Sequence, residues 1–248
     1  MTDSLEKELN QYAMIAKKLE GWDLDFQPEE LGPGPPWSFE RRARELATDC
    51  GMLLDLGTGG GEVLSRVLDG LNCNAFATEE WHVNAPVAAR RLGNSTSVVR
   101  ACSMRLPFSQ KTFDLVLSRH EAIDAKEIER ILAPGGRFLT QQVIPDYLHE
   151  LSATFPDMTR FPNHFSEYQD SFIEAGLNLE YAHEYRQPIR FRELGHLVYH
   201  LVATPWTIPN FSVHSHLKGL LQLDQQIRNS QELVFTSGNY IMEVSRGV

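Results

Sequence analysis

Only three cysteines, Cys50, Cys73 and Cys102, occur in 248 residues. Their wide spacing fits neither a disulfide framework nor a paired-cysteine zinc site, so a reducing, cytoplasmic setting is expected. No run of about 18 apolar residues is present to span a bilayer, and Met1 to Glu8 lack the basic start and apolar stretch of an export signal. The chain also lacks a cationic excess: 23 Lys+Arg stand against 33 Asp+Glu, a net charge of −10. Nothing in that balance draws the whole molecule to phosphate backbones or anionic membranes. There is no repeat, no low-complexity tract and no long linker.

What is present is enough apolar sequence, 42% of residues, to bury one sizeable core. Leu5, Leu9, Tyr12, Ala16 and Leu19 recur at steps of four and three, the stripe of an amphipathic helix over Ser4 to Glu20. From Gly21 to Trp37 breakers and aromatics replace that period, predicting a loop. The chain then alternates helix and strand. Strands are expected at Met52–Leu56, Ala75–Thr78, Ser97–Ala101, Phe113–Leu117 and Arg137–Val143, with helices near Ser38–Thr48, Val63–Leu68, Ala85–Leu92 and Asp124–Leu132. Strands joined by helices of this length imply right-handed crossovers and a parallel sheet covered on both faces, an α/β fold. A helix at Ser166–Ala175 and two more strand patterns, Leu177–Phe191 and Glu232–Val244, follow, with a mostly helical insertion over 192–231 between those strands.

The chemistry is concentrated in LLDLGTGGGEVL, Leu53 to Leu64. An apolar strand runs into Gly57, Gly59 and Gly61, where a tight turn must let a ligand approach the backbone. The spacing is not the dinucleotide Gly-x-Gly-x-x-Gly, because bulky Glu62 follows, and no Gly-Lys-Ser/Thr completes a phosphate loop. Asp55, two residues before the first glycine, would meet an ammonium group well and a pyrophosphate badly. The pocket asks for a cationic ligand.

With those residues in place, the sequence resembles the class I S-adenosylmethionine-dependent methyltransferases, of the type 11 kind. Asp55, Gly57, Gly59 and Gly61 match the family's Asp/Glu-x-Gly-x-Gly-x-Gly, with Thr58 inside the loop. Glu79 in AFATEEW matches the acid that binds the ribose hydroxyls. Arg105 to His120 is similar to the Leu-Pro-Phe loop and fourth strand, and Glu127 to Leu139 to the next helix and strand. The resemblance implies a Rossmann-like seven-stranded sheet, order 3-2-1-4-5-7-6 with strand 7 antiparallel, in one methyltransferase domain over 1–248. It also implies S-adenosylmethionine as cofactor and S-adenosylhomocysteine as product. The family's adenine-contacting Asp is absent, leaving Cys102 or Ser103, or the backbone near Met104, for that role. Trp81 either stacks on adenine or packs in the core, and Ser118 completes the cofactor set.

His120, after the fourth strand, is the candidate base for a hydroxyl or amine acceptor, or else a structural histidine. Gln141 and Gln142 sit at the same sheet edge, where strand alternation lets at most one of them face the acceptor. His164, His196, His200, His214 and His216 form no recognisable ligand spacing, and no metal is expected. The helix and loop over 1–37 and the insertion 192–231 are candidate covers for the acceptor. The acceptor itself is expected to be a small, partly apolar metabolite, methylated at O, N or C. No membrane or nucleic-acid partner is expected. Ribosomal or transfer RNA is the alternative acceptor, and a non-catalytic binder or an NAD-dependent oxidoreductase the remaining readings.

Overall fold

Ser38 and Asp124 each start a helix by accepting backbone N–H bonds that the first turn cannot satisfy itself. The Ser38 hydroxyl accepts from Arg41 N at 3.3 Å, and Asp124 Oδ1 from Lys126 N and Glu127 N at 2.9 and 3.2 Å. The computed structural model describes residues 2–162, 164–229 and 232–248. In it the helices are α1 (Thr2–Ala16), α2 (Phe39–Ala47), α3 (Glu62–Leu68), α4 (Asn84–Leu92), α5 (Ala125–Ile131), α6 (His164–Glu174), α7 (Leu194–Ala203) and α8 (Leu217–Arg228). The strands are β1 (Glu29–Glu30), β2 (Met52–Leu56), β3 (Asn74–Thr78), β4 (Thr96–Val99), β5 (Phe113–Arg119), β6 (Leu132–Val143), β7 (Asn178–Phe191) and β8 (Leu233–Ser245).

One sheet runs β1-β7-β8-β6-β5-β2-β3-β4. Its seven long strands follow the expected order, with β8 antiparallel to both β6 and β7. The expected count of seven is corrected to eight. Within the loop read from Gly21 to Trp37, Glu29 and Glu30 pair antiparallel with Arg190 and Ile189 at the free edge of β7. Two polar residues carry no strand pattern of their own. Their pairing is held from outside, by Arg190 and Arg192 on the Glu29 carboxylate.

The alternating side chains of the central strands feed two layers. Leu53, Leu115, Leu117, Leu139 and Ile241 face α2, α3 and α4 through Phe39, Ala43, Leu64, Val67 and Ala88. Leu54, Leu56, Val116, Phe138 and Met242 face α5 and α6 through Ile128, Ile131 and Phe172. A further core lies beside the far ends of β7 and β8, where Leu9 and Ala13 of α1, Leu197 and Leu201 of α7 and Leu220 of α8 bury one another. The insertion is therefore folded and packed, broken between its helices around Pro205, Trp206 and Pro209. Its last two residues, Ser230 and Gln231, lie outside the described residues.

Helix α2 is fastened to the sheet by charge. The Glu243 carboxylate on β8 accepts from Arg42 Nε and Nη2 at 2.7 and 2.9 Å and also from Arg137. Burial works to raise the Glu243 carboxyl, but the two guanidiniums hold it below its ordinary value of 4.5. Its contribution is thus complete above that value and is lost as pH falls through the lowered one. The arginine side chains are 40% and 43% exposed, so the loss on Glu243→Gln should be about 1–2 kcal/mol rather than the ~3–5 of a fully enclosed pair. Urea unfolding of the variant at pH 7 checks this, and the difference from wild type should shrink in acid.

Candidate functional site

The carboxyl ends of β2, β3 and β5 meet at the glycine loop, the edge where an open parallel sheet binds ligands. The loop leaves β2 at Asp55, and two glycines in it are required by what lies against them. A Cβ on Gly57, whose φ is +61°, would stand 2.4 Å from Glu121 Oε2. On Gly59, at φ +62°, it would stand 2.5 Å from Trp22 Cδ1. Gly61 begins α3 against Leu92. Thr58 N donates to Thr78 O at 2.9 Å, tying the loop to β3.

Three carboxylates ring this loop. Asp55 is buried, 7% exposed. Burial above all, and then Glu79, push its carboxyl up to about 7 against the opposing influences of Thr58 and Arg119. The Thr58 hydroxyl, though close, is buried without a hydrogen bond of full geometry. Glu79 clasps the loop: Oε2 accepts from Gly59 N at 2.7 Å and Oε1 from Trp81 N at 2.8 Å. Burial raises its carboxyl too, outweighing those two bonds. Glu121 covers Gly57 and accepts from the Ser103 hydroxyl at 2.7 Å. Among the described residues none of the three forms an ion pair with Lys, Arg or His.

The other expected residues separate into those on the cleft and those inside the protein. Trp81 and Met104 are 42% and 44% exposed beside the loop. Cys102 is half-buried, Ser103 buried. Ser118 is fully enclosed, its hydroxyl without a partner among the described residues, on the face opposite Asp55. His120 has φ +60°, a conformation few non-glycine residues adopt. It presents accessible surface although protein surrounds it closely enough to desolvate it, and both hold for a side chain lining a cleft. Desolvation and the Arg119 cation push its imidazole down to about 4, so it is neutral at pH 7. Its Nε2 lies 3.2 Å from Asn239 Oδ1. Gln141 and Gln142 do point to opposite faces. Gln141 accepts from the Trp37 indole at 3.0 Å and Gln142 donates to Glu121 O at 2.9 Å. His196 stacks on Phe26 and His200 bonds Tyr147, so the two diverge. Among the described residues no three His, Cys, Asp or Glu side chains gather as a metal cluster.

Over the glycine loop, Trp22 from the segment 1–37 meets Trp206 from the insertion 192–231. Trp22 lies on Gly59 and touches Trp81 and Trp206, with ring centroids 6.0 and 5.6 Å away. Its loop is pinned where Gly21 N meets Asn84 Oδ1 at 3.1 Å and where Glu62 accepts from Trp22 N and pairs with Arg91. Glu62, which excludes the dinucleotide pattern in sequence, is here the clasp for this loop. Asn239 also belongs to the site without a sequence signal, hidden by its distance in sequence from the loop, whereas Glu121 shares with its neighbour His120 the open reading of a chemical or a structural residue.

Residues 54–140 match the family model described as "Methyltransferase domain". Over that stretch the chain is similar to a methyltransferase domain. The match begins inside β2 and ends in β6, so it contains the glycine loop, Glu79 and His120. Among solved structures, a putative methyltransferase from Bacillus halodurans superposes with a TM-score of 0.64 at 16% identity, covering 84% of this chain and 99% of that one. Geranyl diphosphate methyltransferase in complex with SAM gives 0.52 at 14% identity, over 84% of this chain and 77% of that one. The [4+2]-cyclase SpnF gives 0.57 at 17%, over 97% and 93%. These likenesses describe the fold alone.

Gly59→Ala should cost about 1–2 kcal/mol from the left-handed backbone alone and expel Trp22 from the loop. A red shift of the tryptophan emission in the folded variant is the expected sign; an unchanged spectrum would show that Trp22 does not seat there.

Proposed function

We propose that the protein transfers a methyl group from S-adenosylmethionine to a small, partly apolar metabolite. The observation that carries this reading is the glycine loop ringed by Asp55, Glu79 and Glu121 with no cation bonded to any of them among the described residues. A phosphate ligand would be repelled there, whereas an ammonium and a sulfonium would be drawn in. The residues fit the cofactor: the glycine loop with Asp55 and Glu79 forms a cradle at the ends of β2 and β3, in which Asp55 is free for an ammonium and Glu79 stands at the end of β3 for the ribose hydroxyls. Trp81 and Met104 offer apolar surface to adenine, beside Ser103 and Cys102. Bound in this cradle, the cofactor supplies a methyl group already activated for displacement.

What remains for the protein is alignment and exclusion of water, the main sources of rate for an in-line transfer. His120 stands at the end of β5. With Asn239 presenting Oδ1, Nε2 carries the proton, which leaves Nδ1 to take a proton from a hydroxyl acceptor. The neutral state that burial imposes is the one a base requires. Trp22 and Trp206 bring the loop over 1–37 and the insertion over 192–231 together above the loop, and an aromatic roof suits a small acceptor better than a nucleic-acid strand. The net charge of −10 supports the same choice. Geranyl diphosphate methyltransferase, one of the structurally similar proteins, is named for a small-molecule substrate. No helix among the described residues is long and apolar enough to cross a membrane, and the three thiols are free, in keeping with work in the cytoplasm.

Calorimetry with S-adenosylmethionine and S-adenosylhomocysteine tests the reading; absence of heat with both sinks it. His120→Ala should leave cofactor affinity within about twofold while slowing turnover about 10²-fold or more. A shift of total RNA in a salt-dependent gel assay would move the acceptor to RNA.

The pH dependence follows from Asp55. Its carboxyl titrates at about 7 in the free protein and an ammonium prefers the ionised form. Affinity for S-adenosylhomocysteine should therefore fall below pH 7, by up to about tenfold per unit. Asp55→Asn should bind weakly and show a flat profile from pH 5.5 to 7.

A further inference from the structure

Gln141 and Gln142 lie side by side near the end of β6, and their hydrogen bonds tell them apart. The Gln142 amide commits its N–H groups inside the protein, to Glu121 O and Thr140 Oγ1, each at 2.9 Å. Gln141 instead accepts, its Oε1 receiving the Trp37 indole at 3.0 Å. An indole N–H can only donate, so this bond fixes which end of the amide is oxygen and leaves Nε2 as the other end. Among the described residues Nε2 has no hydrogen-bond partner, and although Gln141 is 8% exposed this nitrogen is not one of the enclosed ones. Asn239 repeats the arrangement: its Oδ1 faces His120 Nε2 at 3.2 Å, and Nδ2 is left without a partner among the described residues. Gln141 is level with Ile241 on β8, so Gln141 and Asn239 share one face of the sheet on a diagonal, on the order of 7–8 Å apart. His120 touches both, since its backbone N–H donates to Gln141 O at 2.9 Å. Tyr185 stands opposite Asn239 on β7 and meets Trp37 edge to face, with ring centroids 6.4 Å apart. The residue level with Gln141 on β5 is Arg119, a cation rather than a carboxylate.

We propose that Gln141 Nε2 and Asn239 Nδ2 select the methyl acceptor, and that the acceptor carries a carbonyl or carboxylate oxygen next to the hydroxyl that is methylated. The assignment rests on the methyltransferase reading and narrows its small metabolite to this class. Two amide donors with a guanidinium beside them on one face favour an oxygen lone pair and oppose an ammonium, which would bring a further donor and leave theirs unmet. Trp37 and Tyr185 supply the surface for the apolar body of the same molecule. With its neighbouring oxygen held, the hydroxyl gives its proton to His120 Nδ1. Its own oxygen forms the new C–O bond as the S–CH3 bond of the donor breaks, and that electron pair stays on sulfur.

Three fragments that share a phenol and differ only in the group beside it, 2′-hydroxyacetophenone, salicylate and 2-hydroxybenzylamine, test the assignment when titrated by NMR into protein saturated with S-adenosylhomocysteine. The ketone, the carboxylate or both should bind about tenfold more tightly than the amine, and the tighter of the two identifies the oxygen. Gln141→Glu keeps the size and the bond from Trp37 but puts a second oxygen where Nε2 stood, so it should reverse the order. Equal binding of the three or preference for the amine in the wild type, or the wild-type order retained in Gln141→Glu, overturns the proposal. The wild-type comparison stands even if the variant fails to fold. S-adenosylhomocysteine that binds while the fragments are not distinguished defeats this assignment alone; S-adenosylhomocysteine that does not bind defeats the methyltransferase reading, and this assignment with it.

Discussion

A carboxylate removed from water at the end of a strand, with no cation bonded to it among the described residues, governs the arrangement around it. Asp55 sits in such a position because Leu53 and Leu54 bury β2 from both faces and the chain must leave the sheet there. Burying the charge is unfavourable in the free protein, as the raised carboxyl records. Between the ordinary Asp value and about 7 the folded state therefore loses stability as pH rises. A cationic ligand would reverse that. The loop that follows has to pass close to the same point, which accounts for the glycines, for the Glu79 clasp on Gly59 N and for Thr58 N on β3.

Around this constraint the remaining parts arrive from far along the chain. Trp22 comes from before the sheet begins, Trp206 from the insertion between the last two strands, and Asn239 from β8. Helix α7 packs against α1 through Tyr12 on Gly195, and Tyr199 accepts from Asp25 N, so the insertion and the amino-terminal loop are one packed unit. The cover over the glycine loop is consequently a property of that contact and not of either segment. The same fold is found in a protein named as a [4+2]-cyclase as well as in methyltransferases. What the chain does must be argued from Asp55, Glu79, Glu121 and His120 rather than from the sheet.

Most of the architecture was legible in sequence because buried parallel strands announce themselves as short apolar runs between helical periods. Met52–Leu56 coincided with its strand, and the order of the seven long strands followed. The element without a sequence signal is β1, two glutamates whose pairing depends on the edge of β7 and on Arg190 and Arg192, none of which is near in sequence. The site divided in the same way. The glycines and Asp55 were legible because their spacing is a local backbone requirement. Arg119 and Glu121 flank the candidate base, yet their partners were not legible, because a side chain's partner is set by the face it points to and by what else reaches that face.

The sequence by itself determined the sheet, its crossovers and the glycine turn with its acid, since periodicity and backbone conformation act over a few residues. Only the tertiary structure decided that Glu62 would clasp the amino-terminal loop, that Trp22 would lie on Gly59, and that Ser118 would be enclosed while Trp81 and Met104 stayed open. Burial and charge pairing are sums over neighbours, and these neighbours are brought together by packing of segments far apart in the chain, as Arg42 and Glu243 are.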